Sequence, residues 1–321
     1  MTISMAAWKT VGALWLALVL DRWLGEPPVR WHPVVWMGRY LGWAGRRIAP
    51  LAGTPPGAHA WHFAAGALAW AIGACAVLAL SLGAERLVDA LPTWAGAVLA
   101  GVLLKPLLAW RMLRGEVLAV ERALAQSLAA GRERLAGLVS RDVGALQAHE
   151  VRESAIESLA ENLSDSLVAP LFWFALAGLP GAALYRFANT ADAMWGYRGE
   201  RGGRVWEWAG KFAARADDVL SWLPARLSAL LLALGAARWP RGLRSQARRA
   251  PSPNGGWPMA AMALLLGVRL GKPGAYLLHP AGGLATPGDT RRALVLGGRA
   301  VVLAGLFATA ALLVLLPGST P

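Results

Sequence analysis

The chain has 321 residues, of which 56% are hydrophobic and only 16% charged. Soluble domains carry about a quarter charged residues, so this composition argues against a soluble globular protein and for an integral membrane protein. The 32 Lys and Arg outnumber the 19 Asp and Glu and leave a net charge of +13. These cations flank apolar runs and no nucleic-acid module is recognisable, so the partner they point to is the lipid bilayer and not nucleic acid. The single cysteine, Cys75, excludes an internal disulfide framework and a multi-cysteine zinc site, and its apolar surroundings predict that it packs.

In chain order, the first apolar run is Val11–Leu20, extended by Trp8 and by Trp23-Leu24 into a predicted membrane helix over 8–24 that holds Asp21 near its end. Clear spans are predicted over 61–83, over 94–110 (interrupted by Lys105-Pro106) and over 294–316, where Arg299 can reach toward the near interface. The runs 167–188 and 220–237 are membrane-associated but broken by Pro170, Pro180-Gly181 and Pro224. The fold expected is an all-α integral membrane protein, a polytopic helical bundle of about 4–6 membrane helices, with a large helical region at 111–290. Arginine counts place that region on the cytoplasmic side, with 191–219 kept off the far side by its five basic residues.

The acid is concentrated in the middle: 11 of the 19 carboxylates lie in the 77 residues from Asp142 to Asp218. Residues 147–165 read as a helix with Glu150, Glu153, Glu157 and Glu161 on one face. That face is either solvated or bridged by a divalent cation, since Mg²⁺ takes one or two carboxylates together with substrate phosphates. Asn-x-x-Asp occurs twice, at Asn162-Leu-Ser-Asp165 and Asn189-Thr-Ala-Asp192, each beside an apolar run where polar groups are costly unless they have a role. Asp217-Asp218 is a third acidic element, with Arg215 available to pair with one of the two.

Near the ends, Gly25-Glu26-Pro27-Pro28 and His32-Pro33 read as a Pro-rich interfacial turn with Trp23, Trp31 and Trp36 in an aromatic belt, or as a loop returning Asp21 and His32 to an active site. The pair His59/His62 has no evident third ligand. Arg248–Pro258 is a Gly/Pro-rich loop before an apolar helix, able to cradle phosphate although it is no Walker A sequence.

The segments Ser154–Phe172, Tyr185–Tyr197 and Ala214–Leu227 closely resemble the CobD/CbiB family, the adenosylcobinamide-phosphate synthases of cobalamin biosynthesis. Leu20-Asp21, Gly25-Glu26-Pro27, His32-Pro33 and Ser252-Pro253-Asn254 look like further signatures, and the likeness runs from about residue 10 to 310 in family order. This chain departs at Ala191 and Ala193, where members usually carry Leu and Ser, at Glu26, usually Asp, and over Gly199–Arg204. None of these removes an Asn or Asp named above.

The resemblance implies a multi-pass protein of the cell (inner or plasma) membrane. It implies an ATP- and Mg²⁺-dependent ligase that joins adenosylcobyric acid to aminopropanol or its O-phosphate as an amide. Other late cobalamin-assembly enzymes are then partners. Carried onto this sequence, Glu161, Asn162, Asp165, Asn189 and Asp192 hold the metal, with Glu157 beside them in catalysis. Asp217 or Asp218 is a further ligand or the base for the incoming ammonium. Arg141, Arg215 and Arg226 face phosphates, and Tyr197, Ser252, Asn254, His32 and Asp21 contact substrate. Two rival classes remain. A membrane prenyltransferase would need denser aspartate repeats, and a transporter would need charge at mid-depth within its spans.

Overall fold

The computed structural model describes residues 5–53 and 59–316. Among these residues it is almost entirely helical; strand is confined to two short hairpins, β1–β2 (Glu200–Arg201 with Arg204–Val205) and β3–β4 (Leu270–Lys272 with Tyr276–Leu278). The protein is thus a polytopic helical membrane protein. Among the described residues, four segments are long and apolar enough to cross a membrane: His59–Ala90, Thr93–Gln126, Ala148–Trp195 and Pro287–Leu315. A fifth arises if Lys211–Leu220 and Trp222–Gly235, bent by 46°, form one span. The chain divides into two compact units, Met1–Leu108 with Pro170–Ser221 and Ala308–Pro321, and Ala109–Ala169 with Trp222–Phe307.

In the first unit, α1 (Met5–Leu24) packs on α4 (Thr93–Leu104) through small residues. A Cβ on Gly101 would sit 2.9 Å from the Ala13 carbonyl oxygen, the close backbone approach by which helices associate in lipid. The run 8–24 does fold as one helix, but Lys9, Asp21 and Arg22 keep it outside the candidate spans. Trp23, Trp31 and Trp36 are exposed, as an aromatic belt requires. The predicted span 94–110 is not continuous. α4 ends at Leu104, a 3₁₀ turn covers Lys105–Leu107, and α5 (Trp110–Gln126) starts afresh, because Pro106 cannot continue the helix. α3 (His59–Ala90) buries little of its apolar length against the rest of the protein, leaving most of it for lipid. Cys75 on this helix is exposed, contrary to the expectation that it packs: the apolar run around it faces outward.

Below the division at Pro170, α8 (Ala169–Trp195) is interrupted at Ala177 and Gly178, where φ reaches 60° at the glycine. The break therefore lies in the turn ahead of Pro180, which cannot bond the carbonyl four residues before it, and not at Pro170. Glu85 of α3 accepts the freed Leu179 N–H at 3.3 Å. α2 (Pro33–Ile48) and α9 (Lys211–Leu220) complete the unit around Trp195, whose indole donates to the Leu41 carbonyl at 3.2 Å.

The second unit is built on α7 (Ala148–Leu163), which the 3.6-residue pattern predicts over 147–165. It starts with a capping box between Gln147 and Glu150 and runs into a π-turn at Ser164–Val168. The displaced Ser166 carbonyl is satisfied by Ala109 N–H at 3.1 Å. Around α7 lie α5, α6 (Leu128–Ala136), α10 (Trp222–Gly235), α11 (Leu243–Ala247), α12 (Gly256–Leu266) and hairpin β3–β4, with α13 (Pro287–Leu315) contributing its residues up to Phe307.

Candidate functional site

Each unit holds its own polar cluster. In the first, α8 and α9 bring the second Asn-x-x-Asp and the Asp-Asp together. Asn189 donates from Nδ2 to Asp217 Oδ1 at 3.4 Å, and Asp217 is 9% exposed. Ser221 donates to the same oxygen at 3.4 Å and lies 3.1 Å from the Tyr185 hydroxyl. Asp192 and Asp218 both lie within electrostatic reach of Asp217. Asp217 and Asp218 of α9 thus lie near Asp192 of α8, 25 residues before Asp217, and such like charges repel unless a cation or proton intervenes. Asp218 faces Arg198 and not the Arg215 that its sequence neighbourhood offered; Arg215 is exposed. Tyr197 donates its hydroxyl to the Ala193 carbonyl at 2.8 Å and lies under Arg201.

The second cluster surrounds α7. Glu157 and Glu153 are 2% and 4% exposed, so the middle of this helix face is not solvated, while Glu150 and Glu161 at its ends are half-buried. Arg269 reaches Glu153 at 3.2 Å. Arg141 pairs with Glu157 Oε1 and also donates to Gly271 O at 3.2 Å and Ser154 Oγ at 3.3 Å. Tyr276 of β4 donates to the same Glu157 oxygen at 2.8 Å. Burial, with Glu157 and Glu161 nearby, pushes the Tyr276 hydroxyl well above the ordinary tyrosine range, so it stays a donor. Glu157 Oε2 is buried with no hydrogen-bond partner among the described residues. No periodic signal marks Tyr276 in the sequence; only the hairpin brings it to α7.

At the start of α12, Arg226 is sandwiched between Trp222 and Trp257, at 4.4 and 4.8 Å from their ring centres, and donates to Asn254 Oδ1 at 2.8 Å. Ser252 Oγ accepts from the N–H groups of Asn254 and Gly255 at 3.2 and 3.1 Å. Arg226, Ser252 and Asn254 therefore form one cluster, a grouping the sequence did not indicate, with Glu161 against it. A Cβ on Gly255 would stand 2.9 Å from Glu161 Oε1, so glycine leaves room beside that carboxylate. Asn162 turns its amide nitrogen back to Ser158, at 2.9 Å from the carbonyl, and Asp165 lies half-buried in the π-turn.

Among the described residues, no three or more His, Cys, Asp or Glu are grouped to hold a metal ion. The donors present in the two clusters are carboxylate and amide oxygens, in numbers that fit Mg²⁺, which keeps water and phosphate in most of its positions.

Asp21 and His32 belong to a third arrangement in the first unit. His32 caps α2, accepting from Val34 N–H at 3.3 Å, and its Nε2 lies 3.1 Å from Glu26. Buried Lys105 reaches Glu26 at 3.0 Å and Asp21 at 3.8 Å. Burial alone would raise the Glu26 carboxyl, but the hydrogen bonds and charges of His32 and Lys105 outweigh it and hold it below its ordinary value. These ion pairs explain Lys105 and His32 as parts of the turn. His62 bonds the Ile48 carbonyl at 3.2 Å and His59 stacks on Trp208, so neither needs a metal.

Together these features define a polytopic helical membrane protein that buries Glu153, Glu157 and Asp217 in polar clusters. The chain belongs to the CobD/CbiB family: the family model described as CobD/Cbib protein matches residues 14–297. It is 38% identical over 287 residues to the probable cobalamin biosynthesis protein CobD of Methanothermobacter thermautotrophicus, covering 85% of this chain and 89% of that one. It is 41% identical to the protein of the same name from Pyrococcus abyssi, covering 82% and 83%. It is 43% identical to the cobalamin biosynthesis protein CobD of Chromobacterium violaceum, covering 81% of each. No solved structure matches.

Proposed function

We propose that this chain acts in cobalamin biosynthesis as a membrane-bound ligase of the cell membrane. It would join the carboxylate of adenosylcobyric acid to the amine of aminopropanol or its O-phosphate, with ATP consumed. Family membership supports the pathway. The observation that carries the chemistry is the meeting of Asn189, Asp192, Asp217 and Asp218 in one unit.

A carboxylate and an amine do not condense unaided in water, so the acid is activated first. A carboxylate oxygen of the substrate attacks the γ-phosphorus of ATP, ADP leaves, and an acyl phosphate results. The amine then attacks the acyl carbon, inorganic phosphate leaves with one former carboxylate oxygen, and the ammonium proton passes to a base. Asp217, buried and held by Asn189 and Ser221, is that base, with Asp218 beside it. Within the first unit Asn189 and Asp192 would hold Mg²⁺, and within the second Glu161, Asn162 and Asp165 would hold it; the ion would supply charge neutralisation on the phosphates. Arg226 fixes Asn254 and the Pro253 carbonyl at the α12 loop, and Arg141 with Tyr276 fixes Glu157.

The test uses membranes carrying the protein, supplied with adenosylcobyric acid, ATP, Mg²⁺ and either amine. Mass spectrometry is expected to find the amide with wild type, and at least about 100-fold less with Asp165→Ala or Asp192→Ala. No amide with either amine refutes the function; normal turnover by both variants refutes the site.

A further inference from the structure

We infer that the second unit carries a binding site for the phosphate of an anionic phospholipid, at the arginine-lined cavity beside the start of α13. The cavity measures about 490 Å³ and is lined by Arg238, Arg291, Arg292 and Arg299 together with apolar residues including Leu266 and Val295. No acidic residue lines it. Asp289, bonded to Arg292 at 2.8 Å, neutralises one of the four charges and leaves three.

Two of the arginines are fixed in place by the fold. Arg238 donates to the Leu264 and Leu265 carbonyls at 3.0 and 2.8 Å, at the end of α12, and Arg299 donates to the Gly235 carbonyl at 3.0 Å, at the end of α10. They hold the cavity wall, while Arg291 and Arg292 are exposed and able to turn toward a ligand. Depth decides for a lipid. From Ala300 to Leu316 the chain has 17 residues without a charge. At 1.5 Å rise per residue these cover about 25 Å, close to the hydrocarbon thickness of a bilayer. Arg299 therefore stands at the hydrocarbon edge. Arg292, seven residues earlier on the same face, stands about 10 Å further out, where phospholipid phosphates lie. The apolar walls then meet the upper acyl chain. A basic pocket between membrane helices is the arrangement that selects anionic headgroups. None of these residues belongs to the acidic clusters assigned to the ligase.

The purified full-length protein, in a neutral detergent, is exposed to phosphatidylglycerol or to phosphatidylcholine, and retained lipid is counted by native mass spectrometry. At least about tenfold preferential retention of phosphatidylglycerol is expected, with a loss of about thirtyfold in Arg291→Gln/Arg292→Gln, which spares the arginines bonded to helix ends. Arg114→Gln/Arg122→Gln, removing equal charge from α5, is expected to retain the lipid. A parallel melting experiment compares sodium phosphate with sodium chloride at equal ionic strength. If phosphate alone stabilises wild type and not Arg291→Gln/Arg292→Gln, the ligand is a soluble phosphate compound and the lipid assignment fails. Equal retention of the two lipids, or undiminished retention by Arg291→Gln/Arg292→Gln, also overturns the proposal.

Discussion

Replacing Arg141 by Met removes the charge that faces Glu157 while keeping most of the side-chain volume. Glu157 is 2% exposed, and its other bonding partner is neutral Tyr276, so the variant leaves a carboxylate in a dry setting with one donor. Breaking a buried pair from one side costs about 3–5 kcal/mol, far more than an exposed ion pair contributes. At about 2 °C per kcal/mol for a chain of this length, the apparent melting temperature in detergent is expected to fall by roughly 6–10 °C. A second substitution, Glu157→Gln, removes the stranded charge, and Tyr276 can still donate to the amide oxygen. The double variant is therefore expected to recover more than half of the loss. The remainder reflects the bonds Arg141 makes to Gly271 and Ser154. Melting curves of wild type, both singles and the double close the cycle. An Arg141→Met protein that melts within about 1 °C of wild type, or a double variant no better than that single, refutes the view of Glu157 as a charged, buried, partner-dependent group.

Lys105→Met strands Glu26 and Asp21 in the same way. Because the folded Glu26 carboxyl lies below its ordinary 4.5, its stabilisation is present above that pH and is lost as pH falls through the folded value. The melting deficit of Lys105→Met should therefore shrink on going from pH 7 to below about 4.5; a deficit independent of pH counts against the pairing. Gly178→Ala forces a side chain into positive φ and against the Glu85 carboxylate, so a loss of about 2 kcal/mol or more is expected, checked by melting. Asp217→Asn should melt near wild type and lower amide formation by about 100-fold or more; unchanged turnover would remove Asp217 as the base. A lipophilic maleimide should label Cys75 in membranes while a charged one should not, and labelling by both would contradict a lipid-facing α3.

Hydropathy made the long helices legible. The runs around 61–83 and 294–316 need only length and scarcity of charge; the first lies inside α3, and α13 covers the second up to Leu315. The break in 167–188 was legible as to existence but not position, because Pro180 acts on the residues before it while Pro170 sits where a helix tolerates it. The π-turn at Ser164–Val168 leaves no trace in a 3.6-residue pattern. The acidic face of α7 shows where local reasoning stops. Its spacing was readable, but whether Glu153 and Glu157 are solvated depends on Arg269 and Tyr276, more than a hundred residues away. Lys105 looked like an interruption for the same reason, since its partners Asp21 and Glu26 are distant in sequence.

Adenosylcobyric acid carrying ¹⁸O in its reacting carboxylate reports on the proposed chemistry most directly. With ATP, Mg²⁺ and amine, each amide formed should release one inorganic phosphate bearing one ¹⁸O. Amide formed with unlabelled phosphate, or with the label in a nucleotide monophosphate, would contradict activation as an acyl phosphate.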